Sequence, residues 1–202
     1  EGKETRRNDR IGITHVHHFY TKRALNTLGF AYKAVETCPN NLKRYILFTV
    51  EQAVLGFAKI SRYVPTHFSQ VNQYLSGTLY IGSQVVDVSL PYILDGKIKR
   101  LVSMLKKYQF VSTFTLQTGD ATKTIIKDNS LDYVFVDPPF GANLNYSELN
   151  FLWESWLKIV TDNKPEAIEN TVQKKGSFEY RLLMTSCFKE TYRVLKPGRW
   201  MT

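Results

Sequence analysis

Apolar residues recur at helical spacing through the first third of the chain. The spacing of three and four residues predicts an amphipathic helix at positions Ala24, Leu25, Leu28, Ala31, Tyr32 and Val35. The run Cys38-Pro39-Asn40-Asn41 ends this helix. The same spacing predicts a second helix from Leu42 to about Arg62, which Pro65 ends. Residues 1–64 are therefore predicted to be a helical segment with a basic N-terminus.

The pattern changes between Pro65 and Gly96. Two short runs rich in β-branched and aromatic residues, 78–81 and 85–88, are interrupted by Gly77, Gly82 and Pro91. Because no helical or strand periodicity persists, residues 65–96 are predicted to form a loop-rich insertion.

From Lys97 onward, helical and strand patterns alternate. Helices are predicted around 98–105, 149–157 and 178–195, and strands at 111–117, 133–136 and from Trp200. The continuous apolar run Tyr133-Val134-Phe135-Val136 is typical of a buried parallel strand. A polar stretch, 161–176, separates the last two helices, and Trp153 and Trp156 are predicted to pack in a core. The alternation predicts an α/β core with a mostly parallel sheet over 97–202.

Composition places this chain among globular proteins. Its 202 residues are 43% hydrophobic, and no run approaches the roughly 18 apolar residues of a membrane helix. The N-terminal residues are charged, and Cys38 and Cys187 form no CxxC pair. We expect a cytoplasmic protein that does not bind membranes. Because position 1 is Glu and residues 199–202 resemble the opening of a strand, we expect a fragment of one larger domain.

Basic residues outnumber acidic ones. The chain contains 27 Lys and Arg against 18 Asp and Glu, a net charge of +9. This excess favours a polyanionic partner such as DNA, although a solvated basic surface explains it equally well. The candidates for contact with a nucleic-acid backbone are Arg6, Arg7, Arg10, Lys22 and Arg23.

The tetrapeptide Asp137-Pro138-Pro139-Phe140 directly follows the predicted strand ending at Val136. Ligands of open α/β sheets bind beyond the carboxyl ends of the strands. The amino group of a base is a poor nucleophile until its lone pair is localised by two hydrogen-bond acceptors. The Asp137 carboxylate and the Pro138 carbonyl suit that role, and Phe140 offers a stacking face for an extruded base. The alternative is a rigid turn whose aromatic ring fills the core.

At these residues the chain resembles the S-adenosylmethionine-dependent DNA amino-methyltransferases, which modify adenine N6 or cytosine N4. In that family Asp-Pro-Pro-Tyr/Phe is the catalytic motif. Further similar segments are Gly119-Asp120-Ala121, 128–134, 141–149, 193–198, and Gly12-Ile13-Thr14 together with 19–23. Arg199 stands where the family usually has a second glycine.

The resemblance implies a partial Rossmann-like methyltransferase fold and S-adenosylmethionine as cofactor, with adenine N6 as the favoured target. It assigns catalysis to Asp137, Pro138, Pro139 and Phe140, and cofactor binding to Gly119, Asp120 and Asp137. It places Phe140 and Asn143 in the base pocket. Tyr146, six residues beyond Phe140, is a further candidate for the rim of this pocket, and packing in a core explains it equally well. It also implies DNA as substrate and a restriction-modification system, with a possible partner subunit.

The cofactor loop of that family, an aromatic-x-Gly-x-Gly turn, is missing from the sequence. We expect it upstream of Glu1, and we expect weak cofactor binding without it. Two alternatives stay open: an RNA or protein amide methyltransferase, and a non-catalytic nucleic-acid-binding subunit. No metal site is predicted, because His15, His17, His18 and His67 lack partners at ligand spacing. Segments 65–96 and 161–176 are the candidates for target specificity.

Overall fold

The computed structural model describes residues 2–64, 66, 77–108, 114–142 and 144–202. The described residues form helices and two strands in the following order: α1 Lys3–Arg6, 3-10 turns at Asp9–Ile11 and Val16–Phe19, α2 Lys22–Glu36, α3 Asn40–Glu51, α4 Val54–Phe57, α5 Leu90–Lys107, β1 Leu131–Val134, α6 Tyr146–Leu157, α7 Ser177–Val194 and β2 Leu195–Met201. This is a mixed α/β chain. Within these ranges, none of the helices combines the length and the hydropathy of a bilayer-spanning segment.

The first predicted helix is confirmed as α2. The Thr21 hydroxyl caps its start by accepting a hydrogen bond from the backbone N–H of Ala24 (3.1 Å). Its buried stripe contains Ala24, Leu28, Ala31 and Val35, the positions that the spacing selects.

The second predicted helix differs from the structure, because the chain does not stay helical to Arg62. Helix α3 ends at Glu51, and only the short α4 follows. All four α4 residues are buried, so this stretch lacks the polar face of an amphipathic helix. Ala58 is extended and pairs antiparallel with Tyr20, which takes the chain out of the helix.

Helix α5 begins at Leu90, inside the predicted insertion. Pro91 lies in its first turn, where a proline needs no backbone N–H and favours helical φ. The sequence interpretation that Pro91 interrupts structure is wrong for this reason. Residues 77–89 form no regular strand, and an isolated bridge joins Arg62 to Val85.

The described chain divides into two compact units. The sheet unit comprises Glu1–Lys3, Ser112–Ser147 and Asp162–Thr202, and the helical unit comprises Glu4–Val111 and Glu148–Thr161. The helical unit thus includes part of the segment 97–202 that the pattern assigns to the α/β core.

The core of the helical unit includes both tryptophans of α6, which confirms their predicted packing role. The Trp156 ring stacks on Tyr32 (centroids 5.0 Å apart), and its indole N–H donates to the Tyr20 hydroxyl (3.2 Å). The Trp153 indole N–H donates to the Glu51 carbonyl (3.2 Å). Both indole N–H groups have hydrogen-bond acceptors, and the two half-buried rings pack against the core.

In the sheet unit, β1 and β2 pair in parallel, with Leu131 opposite Leu195 and Tyr133 opposite Trp200. The predicted parallel arrangement is confirmed for this pair. Between these two pairs, one residue of β1 lies opposite four residues of β2, and Gly198 (φ +71°) is one of those four. Strand β2 follows α7 at once, so Lys196-Pro197-Gly198 lies in the strand and not in a connecting turn.

The expectation of a buried β1 is wrong for this chain. Tyr133 is 53% exposed and Phe135 is 75% exposed, because the two-stranded sheet formed by the described residues leaves these side chains uncovered. The predicted strand 111–117 lies partly outside the described residues. Its described part, 114–117, is not a strand, and Phe114 and Leu116 are exposed.

Candidate active site

The tetrapeptide 137–140 lies just beyond the carboxyl end of β1. Backbone hydrogen bonds from Thr202 N–H to the Val134 carbonyl (3.1 Å) and from Val136 N–H to the Thr202 carbonyl (2.9 Å) continue the parallel pairing to Val136. Asp137 is therefore the first residue after the paired backbone. This is the position in a parallel sheet at which side chains face a ligand crevice.

Asp137 and Phe140 are both exposed, while the two prolines between them are half-buried. The Asp137 carboxylate makes no hydrogen bond or ion pair with the described residues, and 66% of Phe140 is exposed. This exposure does not fit the alternative interpretation, in which the Phe140 ring fills the core. The carboxylate and the ring are free to contact a ligand.

Two hydrogen bonds hold the turn that contains the tetrapeptide. The Tyr180 hydroxyl on α7 donates to the Pro139 carbonyl (2.6 Å). The Glu169 backbone N–H donates to the Gly141 carbonyl (3.2 Å). Gly141 has φ +56°, a conformation that favours glycine. The Pro138 carbonyl accepts no hydrogen bond from the described residues, so it remains available as an acceptor.

Tyr180 was not among the predicted site residues. Tyr180 and Pro139 are 41 positions apart in the sequence, so no local sequence pattern indicates that they are in contact. The packing of α7 beside the turn brings the two residues together.

Of the other predicted base-pocket residues, Asn143 lies outside the described residues. Tyr146 is the first residue of α6 and is 39% exposed. Next to it, the Ser147 backbone N–H and hydroxyl both donate to the Glu166 carboxylate (3.1 and 2.6 Å). The Glu166 carboxylate thus caps the backbone N–H and hydroxyl of Ser147, the residue after Tyr146.

The polar segment 161–176 is tied together internally. The Lys175 ammonium donates to the carbonyls of Asn163 and Glu166 (both 3.0 Å). Asn170 forms an isolated bridge with Lys175. Because Glu169 also contacts Gly141, this segment holds the turn after the tetrapeptide.

The predicted cofactor residues Gly119 and Asp120 lie in an exposed loop. One Asp120 carboxylate oxygen accepts from the Thr122 backbone N–H (2.8 Å) and hydroxyl (2.7 Å). The Thr122 hydroxyl and N–H lower the pKa of Asp120. No hydrogen bond among the described residues joins Asp120 to Asp137.

A second unpredicted feature is a network around Arg193 on α7. Its guanidinium pairs with Glu190 (2.8 and 2.6 Å) and with Asp128. Hydrogen bonds from Arg193 and Thr124 lower the pKa of Glu190 to about 2. Arg193 also donates to the Ile126 carbonyl (2.9 Å). The network therefore fixes the segment that leads into β1.

The predicted backbone-contact residues divide into two groups. Arg7 is paired with the buried Glu4, and Arg23 is paired with Asp87 (2.7 Å). Arg6 lies 3.4 Å from Asp9. Arg10 and Lys22 are exposed and have no acidic partner among the described residues. At least Arg7 therefore has a structural role that the sequence did not reveal.

Three histidine rings lie close together in the 3-10 turn and just before it. The His17 and His18 rings lie 4.3 Å apart between centroids, and those of His15 and His18 lie 5.2 Å apart. Over the described ranges, no group of three or more His, Cys, Asp or Glu residues has a metal-binding arrangement.

Comparisons with protein-family models, with curated proteins and with solved structures gave no match.

Proposed function

We propose that this chain is part of a DNA amino-methyltransferase that transfers a methyl group to an exocyclic amino group, with adenine N6 as the favoured target. The observation that carries the proposal is the placement of Asp137-Pro138-Pro139-Phe140 at the end of a parallel strand, with an exposed carboxylate and an exposed ring. A full Rossmann-like methyltransferase fold, with further parallel strands beside β1 and β2, belongs to the same proposal.

In this mechanism the Asp137 carboxylate accepts one N–H of the target amine, and the Pro138 carbonyl accepts the other. Both bonds concentrate the lone pair on nitrogen, which makes the amine nucleophilic without prior deprotonation. After methylation the amine is cationic, and it loses one N–H proton to solvent through the Asp137 carboxylate. Neither acceptor is engaged by the described residues, so no existing hydrogen bond must break. Phe140 stacks on the extruded base, which compensates for its lost neighbours in the duplex.

The tyrosine on α7 has a positioning role in this proposal. By holding the Pro139 carbonyl, Tyr180 restrains the peptide next to the Pro138 acceptor. Preorganised acceptors stabilise a transition state because they do not reorient during the reaction.

In this proposal Asp120 would hold the adenine end of S-adenosylmethionine. Asp120 keeps one carboxylate oxygen free of hydrogen bonds among the described residues, and an acceptor of this kind suits a nucleoside. The sequence contains no aromatic-x-Gly-x-Gly turn for the methionine end. When bound, this cofactor supplies the electrophilic methyl group.

The test is Asp137→Ala in the complete protein, with Asp95→Ala as the control. Asp95 is an exposed carboxylate on α5 paired with Lys99, so its removal changes net charge equally. We expect transfer of labelled methyl groups to DNA to fall at least ~10²-fold for Asp137→Ala, the scale for loss of one preorganised electrostatic partner. A rate for Asp137→Ala equal to that of the control would refute the assignment.

Product analysis separates the alternatives. N6-methyladenine in the digested DNA supports the favoured target, and N4-methylcytosine supports the other base. Methylation of RNA or protein instead of DNA supports the amide or RNA alternative. DNA binding by the wild-type protein without any transfer supports a non-catalytic subunit of a modification system.

A further inference from the structure

A groove in the helical unit combines cationic side chains with an apolar floor. Its polar lining comprises His17, His18, Thr21, Lys22 and Lys59, and its volume is about 640 Å³. None of its described lining residues is acidic. A groove with several donors and no counter-charge is suited to an anion.

The backbone brings the two lysines to the same groove. The Lys59 N–H donates to the Phe19 carbonyl (2.7 Å), next to the bridge between Tyr20 and Ala58. Lys22 is the first residue of α2 and lies two positions after the bridged Tyr20. Neither ammonium group forms an ion pair with the described residues, so both remain available to a ligand.

The histidine rings add donors on the same side. The Nδ1 atom of His18 accepts from the Thr14 N–H (3.3 Å), so a neutral His18 carries its proton on Nε2. Burial, together with the charges of His17, His15 and Lys59, lowers the pKa of His18. The two lysines therefore supply the positive charge of the groove, and the neutral His18 ring supplies an uncharged donor at Nε2.

We propose that this groove binds phosphate oxyanions, and that their source is the backbone of duplex DNA. The groove supplies donors that the arginines predicted from sequence do not, since Arg7 and Arg23 are paired with carboxylates. Phosphate contacts of this kind position a duplex without reading its sequence. Anion binding by the groove does not depend on methyl transfer, whereas the choice of DNA as the source of the phosphates rests on the proposed function.

The experiment measures binding of a fluorescein-labelled DNA duplex by anisotropy at several salt concentrations. The test variant is Lys59→Gln, and the control is Lys33→Gln, an exposed lysine near the end of α2 that does not line the groove. Both variants remove one positive charge. Each phosphate contact contributes about 0.9 to the slope of log affinity against log salt. We expect Lys59→Gln to lose about that much slope, and Lys33→Gln to keep the wild-type slope.

Inorganic pyrophosphate distinguishes the two sources of phosphate. If Lys59→Gln weakens both duplex binding and the pyrophosphate-induced shift of the His18 ring signals in NMR, the groove binds backbone phosphates. If only the pyrophosphate response is lost, the groove binds a free phosphorylated compound, and the DNA source is wrong. If Lys59→Gln matches Lys33→Gln in both measurements, the groove is not a phosphate site.

Lys22→Gln provides a second test if Lys59→Gln fails to fold, because Lys22 is exposed. It is judged by the same comparison with Lys33→Gln. Failure of this inference is distinct from failure of the proposed function. Asp137→Ala is expected to bind the duplex as tightly as wild type and to lose methyl transfer. The groove variants are expected to bind the duplex more weakly than wild type.

Discussion

Glu4 should make the stability of the helical unit depend on pH. Its buried carboxylate accepts hydrogen bonds from the Arg7 guanidinium (2.8 Å), the Thr78 hydroxyl (2.7 Å) and the Leu79 N–H (2.9 Å). Burial alone would raise its pKa. The hydrogen bonds from Arg7, Leu79 and Thr78 outweigh this effect and lower the pKa from 4.5 to about 2.

The size of the effect follows from proton linkage. Each tenfold change in proton affinity is worth about 1.4 kcal/mol, so the lowered pKa corresponds to at most about 3 kcal/mol of folding free energy. Because the pKa is lower in the folded state, this stabilisation is fully present above about pH 4.5 and is lost as the pH falls toward 2.

The measurement is urea unfolding of the wild-type chain and of Glu4→Gln at pH 7 and at successively lower pH, followed by tryptophan fluorescence. Trp153 and Trp156 report on the core of the helical unit. We expect Glu4→Gln to lose up to about 3 kcal/mol at pH 7, and the difference from wild type to shrink toward pH 2.

Asp95→Asn is the control, since an exposed ion pair is worth about 0–1 kcal/mol. A difference between wild type and Glu4→Gln that stays constant from pH 7 to pH 2 would show that packing, and not the ionised carboxylate, explains the loss.

Three further predictions concern the candidate active site. Phe140→Ala should weaken binding of an extruded base by roughly 1–3 kcal/mol while Phe140→Tyr is tolerated, because each aromatic ring keeps a stacking face; a fluorescent base analogue at the target reports the extruded state, and equal signals for the two variants would contradict a stacking role. Tyr180→Phe, which removes only the hydroxyl bonded to the Pro139 carbonyl, should lower the rate of methyl transfer about tenfold at unchanged KM, the cost of about 1.4 kcal/mol in the barrier; an unchanged rate would show that this bond does not position the site. Isothermal titration of the 202-residue chain with S-adenosylmethionine should show no binding tighter than about millimolar. The reason is that losing the two or three charge-assisted hydrogen bonds of the missing loop moves a micromolar dissociation constant toward that range. A micromolar dissociation constant would show that the missing loop is dispensable.

The local sequence pattern was sufficient to predict features that depend on a single helix or strand. The positions of α2 were predictable because an amphipathic helix records its buried face in residues three and four apart. The place of Asp137 after a strand was predictable because a short apolar run followed by two prolines ends regular pairing. The two tryptophans of α6 were expected in a core for the same reason of spacing.

Hydrogen bonds between residues that are far apart in the sequence could be identified only from the tertiary structure. Nothing in the sequence near Pro139 indicates Tyr180. Nothing near Glu4 indicates that its carboxylate accepts hydrogen bonds from Thr78 and Leu79. The helical stretch ends after Phe57 where Ala58 is extended and pairs with Tyr20, a partner from another part of the chain. Periodicity reports which face of an element avoids water, whereas hydrogen-bond partners and complete burial depend on which elements meet, and that is a property of the folded chain.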